Sequence, residues 1–308
     1  MTSDWESPGA DPALDVLARE RGQLINLAYR LLGSLADAED AVQEATARWY
    51  SLSPEQRVEI AAPGAWLSTV VSRVCLDVLK SARTRRERYV GQWIPEPVPD
   101  TAEWRGSRGG IAVDPADRIT LDESVDMAFL VVLDSMTPAE RVAFLLHDVF
   151  RYSFDEVARI VGRTPGACRQ LASSARRRVR EQQPVATPAT GRGAVVRRFK
   201  EAWQAQDIRA LVDLLDPSAV AVADGGGLAS ASLHPIEGNK EIARYLVGLP
   251  GLAQSFELLE RTVNGQPGLV AMHQGSTAAV FAFGIVDDRI QNLWVVRNPE
   301  KLGSWNAQ

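Results

Sequence analysis

Apolar residues recur at helical spacing through the first part of the chain. One stripe spans residues 14–32 and ends at Gly33, a residue type that commonly terminates helices in the left-handed conformation. Two further stripes cover residues 38–49 and 66–79, and Ser34 is placed to cap the first of these. The pattern predicts an all-helical N-terminal domain.

Helical spacing returns after a stretch rich in proline, glycine and charge. Thr137 with Glu140, and Ser153 with Glu156, have the spacing of a capping box at a helix start. A short helix then ends at Gly162, and a longer helix follows. We therefore expect a second all-helical domain.

The pattern changes after residue 193, where strand-like segments appear. Helices at 194–206 and 208–215 precede a strand at 219–223, and a helix at 237–249 precedes four further strand-like segments. This order predicts an α+β domain with a curved antiparallel sheet. We expect five parts in all, namely two helical domains, each followed by a linker, and the α+β domain. They occupy residues 10–90, 91–120, 121–182, 183–193 and 194–308.

The composition is that of a globular protein, with 45% hydrophobic and 24% charged residues. No apolar run reaches the length of about 18 residues that a membrane span requires, and the N-terminus has no signal-peptide core. We therefore expect a cytoplasmic protein without a membrane partner. Cys75 and Cys168 are far apart and fit no metal spacing, so we expect no metal and no cofactor.

The charge is unevenly distributed, although the net charge is only −5. Residues 73–88 carry six basic and two acidic side chains, and residues 159–180 carry seven arginines and no acid. Each basic tract follows an amphipathic helical segment. A solvated charged face would explain one such tract, but two of them favour a nucleic-acid partner.

The second basic tract coincides with a helix-turn-helix pattern. A short helix with small Ala158 meets a turn at Gly162, and a second helix has Cys168, Ala172 and Ala175 on its inward face. In such motifs the N-terminal part of the second helix enters the major groove of DNA. The outward residues predicted to contact DNA are Arg163, Thr164, Arg169, Gln170, Ser173, Ser174 and Arg177.

An acidic helix is predicted at residues 37–50, with its carboxylates on the face opposite the apolar stripe. No histidine lies near these carboxylates, so neither a metal site nor acid–base catalysis is indicated. The face is either simply solvated or docks on a basic protein partner.

These segments resemble the extracytoplasmic-function sigma factors of bacterial RNA polymerase. Region two of that family resembles the stretch with Leu31-Leu32-Gly33, Asp37–Glu44, Trp66-Leu67 and Cys75–Lys80, and region four resembles residues 133–180. The resemblance implies that the partners are promoter DNA and core RNA polymerase. Region two would bind the β′ clamp helices and read the −10 element, and region four would bind the β flap and read the −35 element. The implied polymerase contacts are Asp37, Asp40, Gln43 and Glu44, and the implied −10 contacts are Arg73, Lys80 and Arg83.

Three distant segments resemble the signature motifs of the SigJ-type subgroup, in which a SnoaL-like domain is fused to the sigma factor. The implied interdomain residues are Trp93, Pro95, Glu96, Pro97, Asp224, Gly225, Gly226, Gly227, Asn298, Pro299, Glu300, Lys301 and Leu302. The resemblance implies that the C-terminal domain is a cone-shaped SnoaL-like fold. It would pack against the sigma domains and modulate their activity in cis. The chain departs from the subgroup pattern at Ile94, at Glu300 and, less conservatively, at Leu228, where a basic residue is usual.

Two other interpretations remain open from the sequence. The chain could be a helix-turn-helix regulator that binds DNA as a dimer, with a small-molecule ligand in a C-terminal pocket. That pocket would be lined by Trp203, Phe256, Phe281, Phe283 and Trp294. The C-terminal domain could also be a SnoaL-type enzyme using Asp224, His234 or His273 as an acid or base. None of these three has an evident catalytic partner, so we expect no enzyme.

Overall fold

A computed structural model describes residues 12–86, 89–99, 126–182, 189–248 and 255–306. For residues 12–18, 82–86, 182, 189 and 190 it describes the backbone alone. No helix in these ranges is both long enough and apolar enough to cross a lipid bilayer.

The N-terminal domain is a bundle of four helices. They are α1 (Pro12–Leu32), α2 (Leu35–Tyr50), α3 (Pro54–Glu59) and α4 (Pro63–Arg86). The predicted break between the first two helices is confirmed. Gly33 adopts a left-handed φ of 72°, and the hydroxyl of Ser34 accepts a hydrogen bond from the backbone N–H of Asp37.

The second helical domain contains the predicted helix-turn-helix. Its helices are α5 (Met127–Asp134), α6 (Pro138–Phe144), α7 (Phe154–Val161) and α8 (Pro165–Gln182), and a single π-helical turn (Leu145–Val149) extends α6. Both predicted capping boxes are present, at Thr137 with Glu140 and at Ser153 with Glu156. Gly162 ends α7 in the left-handed conformation, with φ of 72°.

The C-terminal domain packs three helices on a six-stranded sheet. The helices are α9 (Ala189–Gln204), α10 (Ile208–Leu214) and α11 (Asn239–Gly248). The strands are β1 (Leu215–Asp224), β2 (Ile236–Glu237), β3 (Glu257–Val263), β4 (Gln266–His273), β5 (Ser276–Val286) and β6 (Arg289–Val296), in the order β2-β1-β6-β5-β4-β3. A short turn of helix at Pro299–Lys301 and α12 (Gly303–Asn306) close the described chain.

Two predictions for this domain need correction. Four of the five strand pairings are antiparallel, but β1 and β6 are parallel, because after β2 the chain crosses to the far edge of the sheet and returns through β3, β4 and β5 to β6. The helix predicted to begin at residue 194 begins at Ala189, so it includes Gly191 and Gly193. Packing of α9 against β4 overrides the low helix propensity of glycine, which had indicated a linker there.

The sheet is buried on both faces. On one face, the helices cover Leu269, Ala271, Phe281, Phe283 and Leu293. Trp203 of α9 belongs to the same core. The alternate strand residues point to the other face and form a smaller core. It consists of Val263, Val270, Val280, Ala282, Trp294 and Val296, covered by Ile94, Met127 and Leu302. The sheet is therefore packed against the first linker and the start of the second helical domain.

The two helical domains share a single hydrophobic core. Residues from α1, α2 and α4 lie in the same cluster as residues from α5 to α8. The guanidinium of Arg141 in α6 crosses this junction and donates to the carbonyl of Leu31, at 2.9 Å. The described parts of the chain thus form a closed arrangement in which each domain contacts the other two.

Candidate functional site

Asp224 is the centre of the interdomain site and is fully buried at the end of β1. One carboxylate oxygen accepts from Lys301 Nζ at 2.7 Å and from the backbone N–H of Ile94 at 3.0 Å. The other oxygen accepts from the hydroxyl of Tyr89 at 2.6 Å and from the backbone N–H of Gly226 at 3.0 Å. Four donors from three segments therefore satisfy one buried charge.

Lys301 packs against residues 89–99, a segment that we call the strap. Its ammonium donates to the carbonyl of Ile94 at 2.5 Å and to Asp224. The same ammonium lies 4.1 Å from the ring centre of Trp93 and 5.3 Å from that of Tyr89. A buried ammonium that lies over two aromatic rings and pairs with a carboxylate ties the strap to the end of the chain.

Tyr89 connects the two C-terminal motifs. Its hydroxyl donates to Asp224 and accepts from the side-chain amide of Asn298, at 2.9 Å. Burial, followed by the bond to Asp224, raises the pKa of this hydroxyl well above its usual value. Gly226 packs directly on Asn298, since a Cβ at that glycine would lie 2.3 Å from the amide nitrogen.

The opposite side of the strap holds the N-terminus of α2. Glu96 donates its backbone N–H to the carbonyl of Gly33 at 2.8 Å, and its carboxylate accepts from the N–H of Leu35 at 2.7 Å. The hydroxyl of Tyr29 donates to the carbonyl of Glu96 at 2.6 Å. Burial raises the pKa of the Glu96 carboxyl, although the backbone N–H groups of Leu35 and Ala36 and the charge of Lys301 act to lower it. A linker residue thus caps the helix predicted to face polymerase.

The other implied interdomain residues lie around these contacts. Pro95 and Pro97 are buried in the strap, and Leu302 joins the small core beneath it. Gly225 and Gly227 form the turn after Asp224, whereas Pro299 and Glu300 are exposed. Leu228 is exposed at 62% and makes no part of the buried network, so the non-basic residue there leaves the site intact.

Three residues of this site were not predicted from the sequence. Asn264 accepts from the N–H of Val98 at 3.1 Å and donates to the Tyr29 hydroxyl at 2.9 Å, and Trp305 donates to the carbonyl of Pro97 at 2.8 Å. Asn264 and Tyr29 are 235 residues apart, and neither lies in a signature motif. No local pattern in the sequence could have indicated their contact.

The polymerase-binding residues predicted on α2 share one face. Asp40, Gln43 and Glu44 are exposed, and Asp37 is half-buried. Ala38, Ala41, Val42, Ala45 and Trp49 on the opposite face are buried. Glu44 forms an exposed ion pair with Arg48 at 2.6 Å. The helix therefore presents an acidic surface whose position is fixed by its buried side.

The predicted −10 contacts lie along α4. Arg73 and Lys80 are both exposed and are two helical turns apart, so they lie on one face. Lys80 pairs with Asp77 at 2.9 Å, and Arg73 donates to the carbonyl of Arg159 in α7 at 3.0 Å. The side chain of Arg83 lies outside the described residues.

The predicted −35 contacts lie on the exposed face of α8 and the turn before it. The exposed members are Arg163, Thr164, Arg169, Gln170, Ser173 and Arg177. Ser174 is half-buried, and its hydroxyl donates to Glu140 at 2.8 Å, which ties α8 to α6. Burial acts to raise the pKa of Glu140, but bonds from Thr137 and Ser174 and the charge of Arg178 hold it below its ordinary value.

The groups considered for catalysis or ligand binding do not converge. His234 and His273 are exposed, and β4, which carries His273, is three strands from β1, or about 14 Å. The five aromatic residues considered as the lining of a ligand pocket belong to the cores. Trp203, Phe281 and Phe283 pack beneath the helices, Phe256 lies at the edge of that core, and Trp294 is on the opposite face of the sheet. Within the described ranges, no group of three histidine, cysteine or carboxylate side chains could hold a metal ion.

Comparison with known proteins places these sites in context. Residues 16–85 match the family Sigma-70 region 2, and residues 126–179 match Sigma-70, region 4. The chain is 38% identical over 296 residues to the ECF RNA polymerase sigma factor SigJ of Mycobacterium tuberculosis, covering 92% of this chain and 90% of that protein. It is 34% identical over 306 residues to the probable ECF RNA polymerase sigma factor SigI of the same organism, covering 97% of each. The crystal structure of the M. tuberculosis SigJ superimposes with a TM-score of 0.72 and 34% identity, covering 94% of this chain and 98% of that one.

Proposed function

The chain belongs to the extracytoplasmic-function sigma factors of RNA polymerase, and from that premise we propose how its surfaces divide the work of transcription initiation. As a sigma factor it binds RNA polymerase and promoter DNA. The proposal assigns polymerase docking to α2, −10 recognition to α4, −35 recognition to α8, and control in cis to the C-terminal domain.

In this proposal the acidic face of α2 binds the clamp helices of the β′ subunit. Asp40, Gln43 and Glu44 are spaced so that all three project from the same side of the helix, and each is exposed. A face of this charge suits a basic partner surface, because complementary charges speed encounter and fix register. We assign contact with the β flap to the second helical domain.

The proposed DNA contacts are non-covalent. Arg73, Lys80 and Arg83 neutralise phosphates and bind the melted strand near the −10 element, and the exposed residues of α8 contact base edges at the −35 element. Binding should therefore weaken steeply as salt is added, because each neutralised phosphate releases counterions.

The proposal for control in cis rests on the contact between the two helical domains in the closed arrangement. The centres of the −10 and −35 elements are about 25 base pairs apart, which is about 85 Å of B-form DNA. Two domains that share one hydrophobic core cannot reach both elements at once. Arg73 is also engaged by the helix-turn-helix through the carbonyl of Arg159. The two helical domains must separate before the promoter is bound.

We propose that the C-terminal domain sets how easily this separation occurs. The strap binds Gly33, Leu35 and Tyr29 on one side and Asp224 and Lys301 on the other. Met127 of α5 packs on the same face of the sheet as the strap. The C-terminal domain therefore holds both helical domains, and it acts at high effective concentration because it is tethered to them.

Run-off transcription with core polymerase tests this function. The full chain should initiate at its own promoter, and a chain lacking residues 192–308 should initiate at a different rate with the same choice of promoter sequence. Equal rates from the two chains would refute control in cis, and failure of the full chain to bind core polymerase at low salt would refute the docking assignment.

No observation favours the two other interpretations. The exposed acidic face of α2 is not explained by a dimeric helix-turn-helix regulator, and an enzyme that used Asp224 would need its carboxylate to be open. The Asp224 carboxylate instead receives four hydrogen bonds in a buried setting.

A further inference from the structure

Arg169, a proposed −35 contact, rests on an aromatic ring that no sequence motif singles out. The guanidinium carbon of Arg169 lies 5.0 Å from the ring centre of Phe154, at the start of α7. The same ring stacks on the imidazole of His147, with ring centres 3.8 Å apart and planes inclined by 25°. Since the imidazole covers one face of the phenyl ring, the other face is left for the guanidinium.

The position of this ring is fixed by the helix start. Phe154 is the first residue of α7, and the capping box of Ser153 and Glu156 holds the backbone around it. The ring nitrogen Nδ1 of His147 lies 2.8 Å from the carbonyl of Tyr152. Because a carbonyl only accepts, Nδ1 carries the proton, and this bond fixes the plane of the imidazole under the phenyl ring.

We propose that Phe154, supported by His147, is a positioning residue that orients Arg169 for reading a base in the −35 element. This proposal rests on the assignment of α8 to that element. A guanidinium stacked by its face keeps its in-plane N–H donors free, and those donors are the ones that pair with a base edge in the major groove. A side chain already held in place also loses less conformational freedom on binding.

The expected effect is confined to one base position. An exposed cation–π contact of this kind contributes a factor of about two to five. Loss of the ring should therefore lower the preference for the base that Arg169 reads by about that factor, and should not alter preferences elsewhere. A general loss of folded protein would instead lower transcription from every promoter by the same proportion.

The test compares Arg169→Ala, Phe154→Leu, Phe154→Tyr and the double variant Arg169→Ala with Phe154→Leu. Each is assayed as holoenzyme on a library of promoters randomised in the −35 element. Leucine keeps an apolar side chain but removes the ring face, whereas tyrosine keeps it. We expect Phe154→Leu to reduce selectivity at the position affected by Arg169→Ala, the double variant to match Arg169→Ala alone, and Phe154→Tyr to retain the selectivity of the unaltered chain.

Two results would overturn the proposal in distinguishable ways. If Arg169→Ala changes a −35 position but Phe154→Leu does not, or if the two effects multiply, the positioning role of Phe154 is wrong and the assignment of α8 stands. If Arg169→Ala changes no −35 position, the assignment of Arg169 itself is wrong, and the positioning role is lost with it.

Discussion

Lys301 and Asp224 form a buried ion pair, with 2.7 Å between the ammonium and the carboxylate, and their side chains are only 10% and 0% exposed. Both residues belong to motifs that are far apart in the sequence. A pair of this kind stabilises a fold only if its remaining hydrogen-bonding capacity is met, because both charges have lost their hydration. Here the strap supplies the missing partners, so the pair stabilises the interdomain contact as well as the C-terminal domain.

Replacing Lys301 by Met should destabilise the chain by about 3–5 kcal/mol, because Asp224 would remain buried without its counter-charge. Thermal and urea unfolding would measure this loss. The double variant with Asp224→Asn should recover only part of it, because the amide removes the buried charge but leaves the backbone N–H of either Ile94 or Gly226 without an acceptor. Arg244→Met is the matched control, since it breaks the exposed pair with Glu241 and should cost about 0.2–0.5 kcal/mol. If Lys301→Met and Arg244→Met lose similar amounts of unfolding free energy, the buried pair contributes no more than an exposed one.

Gly33 has a role beyond its backbone conformation, and Gly162 provides the comparison. Both have φ of 72°, so alanine at either should cost about 1–2 kcal/mol. A Cβ at Gly33 would also lie 2.8 Å from the ring of Trp93, whereas nothing lies within 4 Å of one at Gly162. Hydrogen exchange should show faster exchange of the Ile94 and Glu96 amides in Gly33→Ala only. Protection that is unchanged in both variants would mean that the strap does not depend on this contact.

The buried carboxyl of Glu96 should make the strap contact sensitive to pH. Its folded pKa lies above the ordinary value of 4.5, so between these two values the folded chain binds more protons than the unfolded chain. Its contribution to stability therefore falls as pH rises through that window. Glu96→Gln keeps an acceptor for Leu35 but removes the charge, so it should gain stability relative to the unaltered chain as pH rises from 4.5 to 7.

Glu55 supplies a control of opposite sign. Its pKa is lowered by the hydroxyl of Ser53, so its stabilising contribution is lost only as pH falls below 4.5. Melting temperatures of Glu55→Gln should follow those of the unaltered chain between pH 4.5 and 7. If the melting temperature of Glu96→Gln also follows that of the unaltered chain in this range, burial does not raise the pKa of Glu96.

Local patterns in the sequence predicted most of the secondary structure, because its signals lie within a few residues. Ser34, Thr137 and Ser153 cap the helices that they were expected to cap. The helix-turn-helix also follows from local features, since the left-handed Gly162 and the buried Cys168 both lie within it.

The parts that were not predicted depend on distant contacts. The parallel pairing of β1 with β6 joins residues at least 72 positions apart, and strand propensity alone does not define direction. The closed arrangement depends on Arg141 reaching Leu31, 110 residues away. The site was predictable only through the family motifs, which is why Asn264, Tyr29 and Trp305 were missed.

Arg169 and Gln170 give the most direct test of the recognition helix. Both are exposed in the N-terminal half of α8, the part of a helix-turn-helix that enters the major groove. Alanine at either should cost about 1–3 kcal/mol at the base position it contacts, measured as the ratio of transcription from matched and mismatched −35 elements.

Arg180→Ala is the control, because it removes the same charge from the exposed C-terminal end of α8. It should weaken binding equally on all sequences and reduce its salt dependence, since a phosphate contact carries no base information. If Arg169→Ala and Gln170→Ala behave as Arg180→Ala does, α8 contacts only the backbone, and the residues that read the −35 element must lie elsewhere.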